Sequence, residues 1–163
     1  MISKRLVDSA KVVVGLAPIL PSTSTPDYVS LKDFGHFTAI ITVDNATTVT
    51  GSAITLKQAT AVAGTSEKAL AFTKVWANAD VATSDTMVET AVTSNTFTTV
   101  STNNLNACYV IEVDAAELDT ANGFDCIRAG TGDATAAVLS VVYVLSSPRY
   151  AGAALAAQTA ITD

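Results

Sequence analysis

The chain has 163 residues, with 9 Lys and Arg against 15 Asp and Glu, a net charge of −6, 15% charged residues and 49% hydrophobic ones. Its basic residues form no run beyond Lys4-Arg5, which argues against a nucleic-acid partner, because phosphate binding needs grouped Lys and Arg. No apolar run approaches the roughly 20 residues that span a bilayer, and so little charge on a one-domain chain implies apolar surface buried against another subunit.

Met1 to Pro26 reads as an extended arm. Lys11–Ala17 suits a strand, while Pro18, Pro21 and Pro26 with the intervening Ser and Thr residues hold the rest extended. Lys4 and Arg5 ahead of Val12–Leu16 mimic a signal peptide, but Asp8 and Lys11 interrupt the apolar run, so the segment is read as mature protein. Residues 27–150 then form the expected domain. Tyr28–Lys32 and Gly35–Val43 read as strands, the second with Phe37, Ala39, Ile41 and Val43 alternating with Thr38, Ile40 and Thr42. Ser52–Ala61 alternates again, with Ile54, Leu56 and Gln58 on one side. Leu70–Ala77 is expected as a single strand with Leu70, Phe72, Lys74 and Trp76 on one face. Met87–Thr93 and Thr96–Ser101 suggest a hairpin turning at Ser94-Asn95.

The last hydrophobic third organises the rest. Ala107–Val113 points Ala107, Tyr109, Ile111 and Val113 one way and Cys108, Val110 and Glu112 the other. Phe124–Ala129 follows. Ala136–Leu145 is apolar on both faces, with Ala137, Leu139, Val141, Tyr143 and Leu145 opposite Val138, Val142 and Val144, as suits a central strand. One turn of helix is expected at Ala115–Leu118 behind Asp114 as its cap. Residues 151–163 are Ala-rich and form a C-terminal tail. The fold class is therefore all-β, a single antiparallel β-sandwich with extended N- and C-terminal arms. Its expected core is Phe37, Ile41, Ile54, Leu56, Phe72, Trp76, Tyr109, Ile111, Phe124, Leu139, Val141 and Tyr143. The apolar residues of the arms are Val12, Val13, Val14, Leu16, Ile19, Leu20, Leu155 and Ile161, and these are the expected assembly interface.

Catalytic chemistry finds little footing. The one histidine, His36, lacks a nucleophile-elbow pattern elsewhere in the chain and reads as structural. Two cysteines, Cys108 and Cys126, are expected to be free thiols, and with one histidine they do not make a convincing zinc set. Asp114, Glu117, Asp119 and Asp125 could hold Ca²⁺, yet their spacing does not match an EF-hand loop, and turn formation is the favoured reading. Arg128 is expected to pair with one of these four carboxylates, and Arg149 to donate an ion pair at the surface or at an interface. No enzyme activity, cofactor or metal is assigned.

Six blocks in order carry a resemblance: VGLAPI at Val14–Ile19, VSLKDFGH at Val29–His36, LKQATAVAGTSEKALAFTKVW at Leu56–Trp76, VIEVDAAELD at Val110–Asp119, GFDCIRAG at Gly123–Gly130 and SSPRY at Ser146–Tyr150. Together the chain resembles the capsid decoration, or cement, proteins of tailed bacteriophages. The resemblance implies a jelly-roll-like sandwich and a place on the capsid exterior after assembly in the host cytoplasm. It further implies binding to the major capsid protein as a homodimer or homotrimer, bridging capsomers, with neither nucleic acid nor membrane as partner. The alternative is a phage host-attachment or carbohydrate-binding sandwich module, which a content of 6% aromatic residues disfavours.

Overall fold

A computed structural model describes residues 5–21, 24–150 and 158–161. After a short helical turn α1 (Leu6–Ser9), the strands are β1 (Lys11–Ile19), β2 (Val29–Ser30), β3 (Phe34–Asn45), β4 (Ala53–Ala59), β5 (Lys68–Leu70), β6 (Lys74–Asn78), β7 (Val88–Ala91), β8 (Thr96–Thr98), β9 (Asn106–Asp114), β10 (Cys126–Thr131) and β11 (Ala137–Pro148). They form two antiparallel sheets packed as a sandwich. The first has the order β1-β11-β3-β9-β6-β7, and the second β2-β10-β4-β5, with β8 also paired to β4. In both sheets strands from the start of the chain alternate with strands from its end.

The centre of the first sheet is β11-β3-β9, where strict alternation decides which face is buried. Val141 lies opposite Ile41, and Ile41 opposite Tyr109, and the side chains of all three are buried between the sheets. Phe37, Ala39, Val43, Ala107, Ile111, Val113, Leu139, Tyr143 and Leu145 share that inner face. From the second sheet Ile54, Leu56, Ile127 and Ala129 meet them with no exposure. Each large aliphatic side chain taken from water in this way contributes about 2 kcal/mol.

Tyr143 ties the two sheets together. Its ring packs on Phe37 at 5.0 Å between centroids, and its hydroxyl accepts a hydrogen bond from the Ala129 N–H of β10 at 3.1 Å. Burial pushes the phenol pKa well above its ordinary value, so the hydroxyl stays neutral across any working pH. The same ring fixes Gly15. A Cβ there would come within 2.3 Å of the Tyr143 Cε2 atom, so only glycine lets β1 lie against β11. The pairing of β1 shifts register between Val14 and Leu16 at this point. The extra residue of the bulge reverses the alternation, and Leu16 turns inward where an unbroken strand would turn it outward.

Several expectations are corrected. Leu70–Ala77 is not one strand: β5 pairs with β4 in the second sheet, while β6 pairs with β9 in the first. The chain crosses between sheets at residues 71–73, and the crossing inverts the alternation. Leu70 and Phe72 are buried, but beyond them Val75 is the buried residue and Trp76 is 39% exposed, so Trp76 leaves the core. The expected 87–101 hairpin also divides, with β7 on β6 and β8 on β4. The Tyr28–Lys32 strand shrinks to two residues. Phe124 is buried ahead of β10 rather than within it, under the Lys68 ammonium 3.9 Å from its ring centroid.

Two substitutions test this frame. Val141→Asp places an unpaired carboxylate at the middle of the sandwich and is expected to abolish folding, seen as loss of soluble expression and of a cooperative thermal transition. Tyr143→Phe leaves the Ala129 N–H buried without a partner and is expected to lower stability by about 1–3 kcal/mol in denaturant titration. An unchanged midpoint for the second variant would remove the inter-sheet pin.

Candidate assembly surface

The segment expected as an N-terminal arm lies along the sandwich as the edge strand of the first sheet. Val12 and Val14 pair with Val144 and Val142 of β11 and point outward, 42% and 60% exposed. Val13 packs against the core and Leu16 is buried in it, so these two serve the chain's own interior. Ile19 and Leu20 are exposed at the end of the strand. The path after β1 returns across its outer edge, where the Asp27 N–H donates to the Gly15 carbonyl at 2.8 Å.

Near the C-terminus the Ala160 carbonyl accepts from the Ser30 N–H of β2 at 2.7 Å, and the Ala160 side chain is buried. Gln158–Ile161 thereby lies where the edges of the two sheets meet and faces Lys11–Val14 across a groove of about 410 Å³. Ile161 stands exposed beside it. Leu155 lies outside the described residues. Of the expected interface residues, the structure thus gathers Val12, Val14 and Ile161 around one groove, leaves Ile19 and Leu20 at the far end of β1, and turns Val13 and Leu16 inward.

The outward face of the first sheet continues from β1. Val14 is opposite Val142, Val142 opposite Ile40, Ile40 opposite Val110, and Val110 opposite Trp76. These five residues form a transverse apolar stripe across β1, β11, β3, β9 and β6. Sequence reading found every strand of this stripe except β6, yet it singled out only the Val14 end as interface. The signal was present in Ile40, Val110 and Val142, apolar residues at positions where a half-exposed antiparallel strand ordinarily carries polar ones.

Many of the charged side chains form separate paired groups. On the outer face of the second sheet Arg128 and Lys57 are directly opposite each other. Glu67 neutralises both: Arg128 donates to its carboxylate at 2.7 Å, Lys57 donates to the other oxygen, and the Tyr28 hydroxyl donates at 2.7 Å. Burial alone would raise the Glu67 pKa, but the bonds from Lys57, Tyr28 and Arg128 prevail and hold it at about 2. Burial, reinforced by the bond to Glu67, pushes Tyr28 up to about 12. Arg128 therefore pairs with Glu67 and not with the acidic group of residues 114–125 where sequence reading looked for its partner.

The four candidate calcium ligands are each engaged locally. Asp114 accepts from His36, Glu117 accepts the Asp114 N–H at 2.9 Å over the short 3₁₀ turn Ala115–Glu117, Asp119 binds Lys68 and Asn122, and Asp125 lies 3.9 Å from Lys32. Among the described residues no group of three His, Cys, Asp or Glu side chains is placed to hold a metal ion, and no helix is long and apolar enough to cross a membrane. Arg149 donates to the Phe34 carbonyl at 3.3 Å, and among the described residues no carboxylate forms a salt bridge with it. Cys108, half-buried on β9, and Cys126, buried on β10, are not joined by a disulfide.

Comparison with protein-family models, with curated proteins and with solved structures found no match. The chemistry of the surface therefore rests on its own geometry. The one histidine of the sequence, His36, lies directly opposite Asp114 in the β3–β9 ladder, with Nδ1 2.7 Å from Asp114 Oδ1 and Nε2 3.5 Å from Glu112 Oε1.

Partial burial disfavours the imidazolium, but the bonds to Asp114 and Glu112 outweigh it, so the pKa is raised above 6.5. A folded-state value above the unfolded one means the stabilisation is complete below pH 6.5 and is lost as pH rises through the raised value. His36→Gln is therefore expected to lower the denaturation midpoint most below pH 6.5, with the gap to the parent closing as pH rises through the raised value. A gap independent of pH would show that His36 contributes only as a neutral hydrogen-bonding group.

Proposed function

We propose that the chain is a structural virion protein that binds the outer surface of a tailed-bacteriophage capsid and stabilises the head by bridging capsomers. The observation that carries this reading is the amount of apolar surface on a rigid, charge-poor sandwich, concentrated along β1 and its sheet. Val12, Val14, Ile19, Leu20 and Ile161 stand out from a chain with only 15% charged residues. Exposed apolar surface gathered in this way marks protein contact. The interleaved strand order, with β1-β11-β3-β9 facing β2-β10-β4-β5, is that expected of a jelly roll, and it agrees with the resemblance of the sequence blocks to decoration proteins.

The mechanism is mechanical. A preorganised sandwich loses little conformational freedom on docking, so most of the free energy of apolar burial is retained as affinity. Binding across the boundary between two capsomers then adds that free energy to the cost of separating them. The partner is the major capsid protein, and the working unit on the virion exterior is a homodimer or homotrimer.

The test uses the full chain and purified heads from which decoration protein has been removed. The parent is expected to cosediment with the heads and to raise the temperature at which they release DNA. The double substitution Ile19→Asp with Leu20→Asp is expected to reduce binding at least tenfold while its own melting temperature stays unchanged. Retention on a glycan array combined with no binding to heads would replace this reading by carbohydrate attachment.

A further inference from the structure

We propose that the cleft between the turn after β2 and the loop joining β9 to β10 binds an apolar carboxylate. Arg149 and Lys32 hold the carboxylate, and Leu31, Leu118 and Phe124 receive its apolar part. The inference stands apart from the capsid reading, since none of these residues belongs to the β1 surface.

The cleft has a volume of about 230 Å³. Leu31, Leu118 and Phe124 line it and are 1%, 4% and 8% exposed, so they form an apolar floor. Backbone bonds hold its walls. The Leu31 N–H donates to the Asp125 carbonyl at 2.7 Å and the Phe34 N–H to the Leu31 carbonyl at 3.2 Å, which fixes the turn that carries Lys32. In the opposite wall the Phe124 N–H donates to the Asp119 carbonyl at 3.1 Å, and Gly123 takes the left-handed φ of 81° that the turn before it requires. A cavity fixed in this way loses little freedom when it is filled.

The charges select the ligand. The Arg149 N–H donates to the Asp33 carbonyl at 2.8 Å and its Nε to the Phe34 carbonyl at 3.3 Å. Two backbone acceptors thus hold Arg149 beside the cleft, while no carboxylate among the described residues forms a salt bridge with it. The cations of the second sheet and of β6 differ in this respect: Lys57 and Arg128 have Glu67, Lys68 has Asp119, and Lys74 has Glu89. Lys32 is only loosely engaged, its Nζ 3.9 Å from Asp125 Oδ2 and beyond hydrogen-bond reach. The other Asp125 oxygen accepts from the Cys126 thiol at 3.3 Å. Two cations and one carboxylate therefore line the cleft, a net of one positive charge on a chain whose total is −6. The neighbouring acids Asp33, Glu117 and Asp119 are not part of the lining.

A planar guanidinium matches a carboxylate, to which it can donate two parallel bonds. The apolar floor works against a strongly hydrated anion such as inorganic phosphate, because it offers nothing to replace the lost water. Size narrows the choice further. Sites for drug-sized ligands run from roughly 300 to 1,000 Å³, so this smaller cleft takes a carboxylate on one short apolar chain or ring. A free acid and the last residue of a peptide both present that group.

Titration calorimetry of the full chain tests the assignment with phenylacetate, a pentapeptide ending in a free-acid leucine, the same peptide amidated, and inorganic phosphate. Phenylacetate, the peptide acid or both are expected to bind saturably at millimolar concentration and to shift the methyl resonances of Leu31 and Leu118. The amide and phosphate are expected not to bind. Binding of phenylacetate alone assigns the cleft to small acids, binding of the peptide acid alone assigns it to chain ends, and either supports the proposal. Arg149→Gln is expected to weaken binding at least tenfold. Lys32→Gln, at an exposed position, is expected to weaken it severalfold with an unchanged melting temperature, and Asp125→Asn to tighten it. Arg149→Gln also removes the bond to Phe34, so Lys32→Gln decides the matter if the first variant fails to fold. The proposal is overturned if neither carboxylate binds, if the amide or phosphate binds as tightly, if the shifted resonances lie elsewhere, or if Lys32→Gln leaves affinity unmoved.

Discussion

One side chain, Tyr143, sets much of what the rest of the sandwich can do. Its ring occupies the space a β-carbon at position 15 would need, so β1 can join the first sheet only with a glycine there. Its hydroxyl satisfies the Ala129 N–H, which lies in the middle of the opposing sheet and has no water available to it. An orphaned amide in that position costs more than an ordinary hydrogen bond contributes. The bulge at Gly15 then divides β1 into two segments of opposite parity along the same neighbour, β11. Before the bulge Val12 and Val14 face outward, and after it Leu16 faces the core. A contact inside the core thus decides which valines the protein shows to its surroundings.

The second sheet solves a different problem. The β4–β10 register puts Lys57 directly beside Arg128, and two like charges side by side on a sheet destabilise it. Glu67, delivered by the loop before β5, lies between them and also accepts from Tyr28, whose ring lies 5.0 Å from the Arg128 guanidinium. The carboxylate remains ionised far into acid because three donors converge on it. This cluster draws on residues 28, 57, 67 and 128, and nothing in their spacing announces it. Only the strand register brings the two cations together and so makes an anion necessary.

That contrast explains how far the sequence could be read. Where a strand stays in one sheet, period-two alternation is set by burial alone, and Phe37, Ile41, Tyr109, Ile111, Leu139 and Val141 could be assigned to the core from residue type. Where the chain changes sheet or inserts a residue, the alternation restarts with the opposite parity and local pattern misleads. Trp76 is the clearest instance. Continued from Leu70 and Phe72 it falls on the inner face, but the crossing at residues 71–73 places Val75 there instead and turns the indole outward. Gly15 hides the same kind of reversal, because a glycine in a strand signals a bulge or a close contact without saying which. The exposed apolar residues were therefore partly legible: Val12 and Val14 by their apolar character, Trp76 only through the topology.

The two outer faces of the sandwich consequently differ in kind. On the second sheet the central outward positions carry Lys57 and Arg128, long charged side chains whose hydration resists removal unless every partner is supplied. On the first sheet the corresponding positions of the three central strands carry Val142, Ile40 and Val110, which resist nothing. A sandwich with one face of each sort has a direction. Covering the first sheet would cost less desolvation than covering the second. The low charge content of the chain is in this sense unevenly distributed: its ion pairs centre on Glu67, Asp119, Asp114 and Glu89. What remains across the middle of the first sheet is a row of partly exposed apolar side chains on paired backbone, and a surface of that kind is stabilised by whatever excludes water from it.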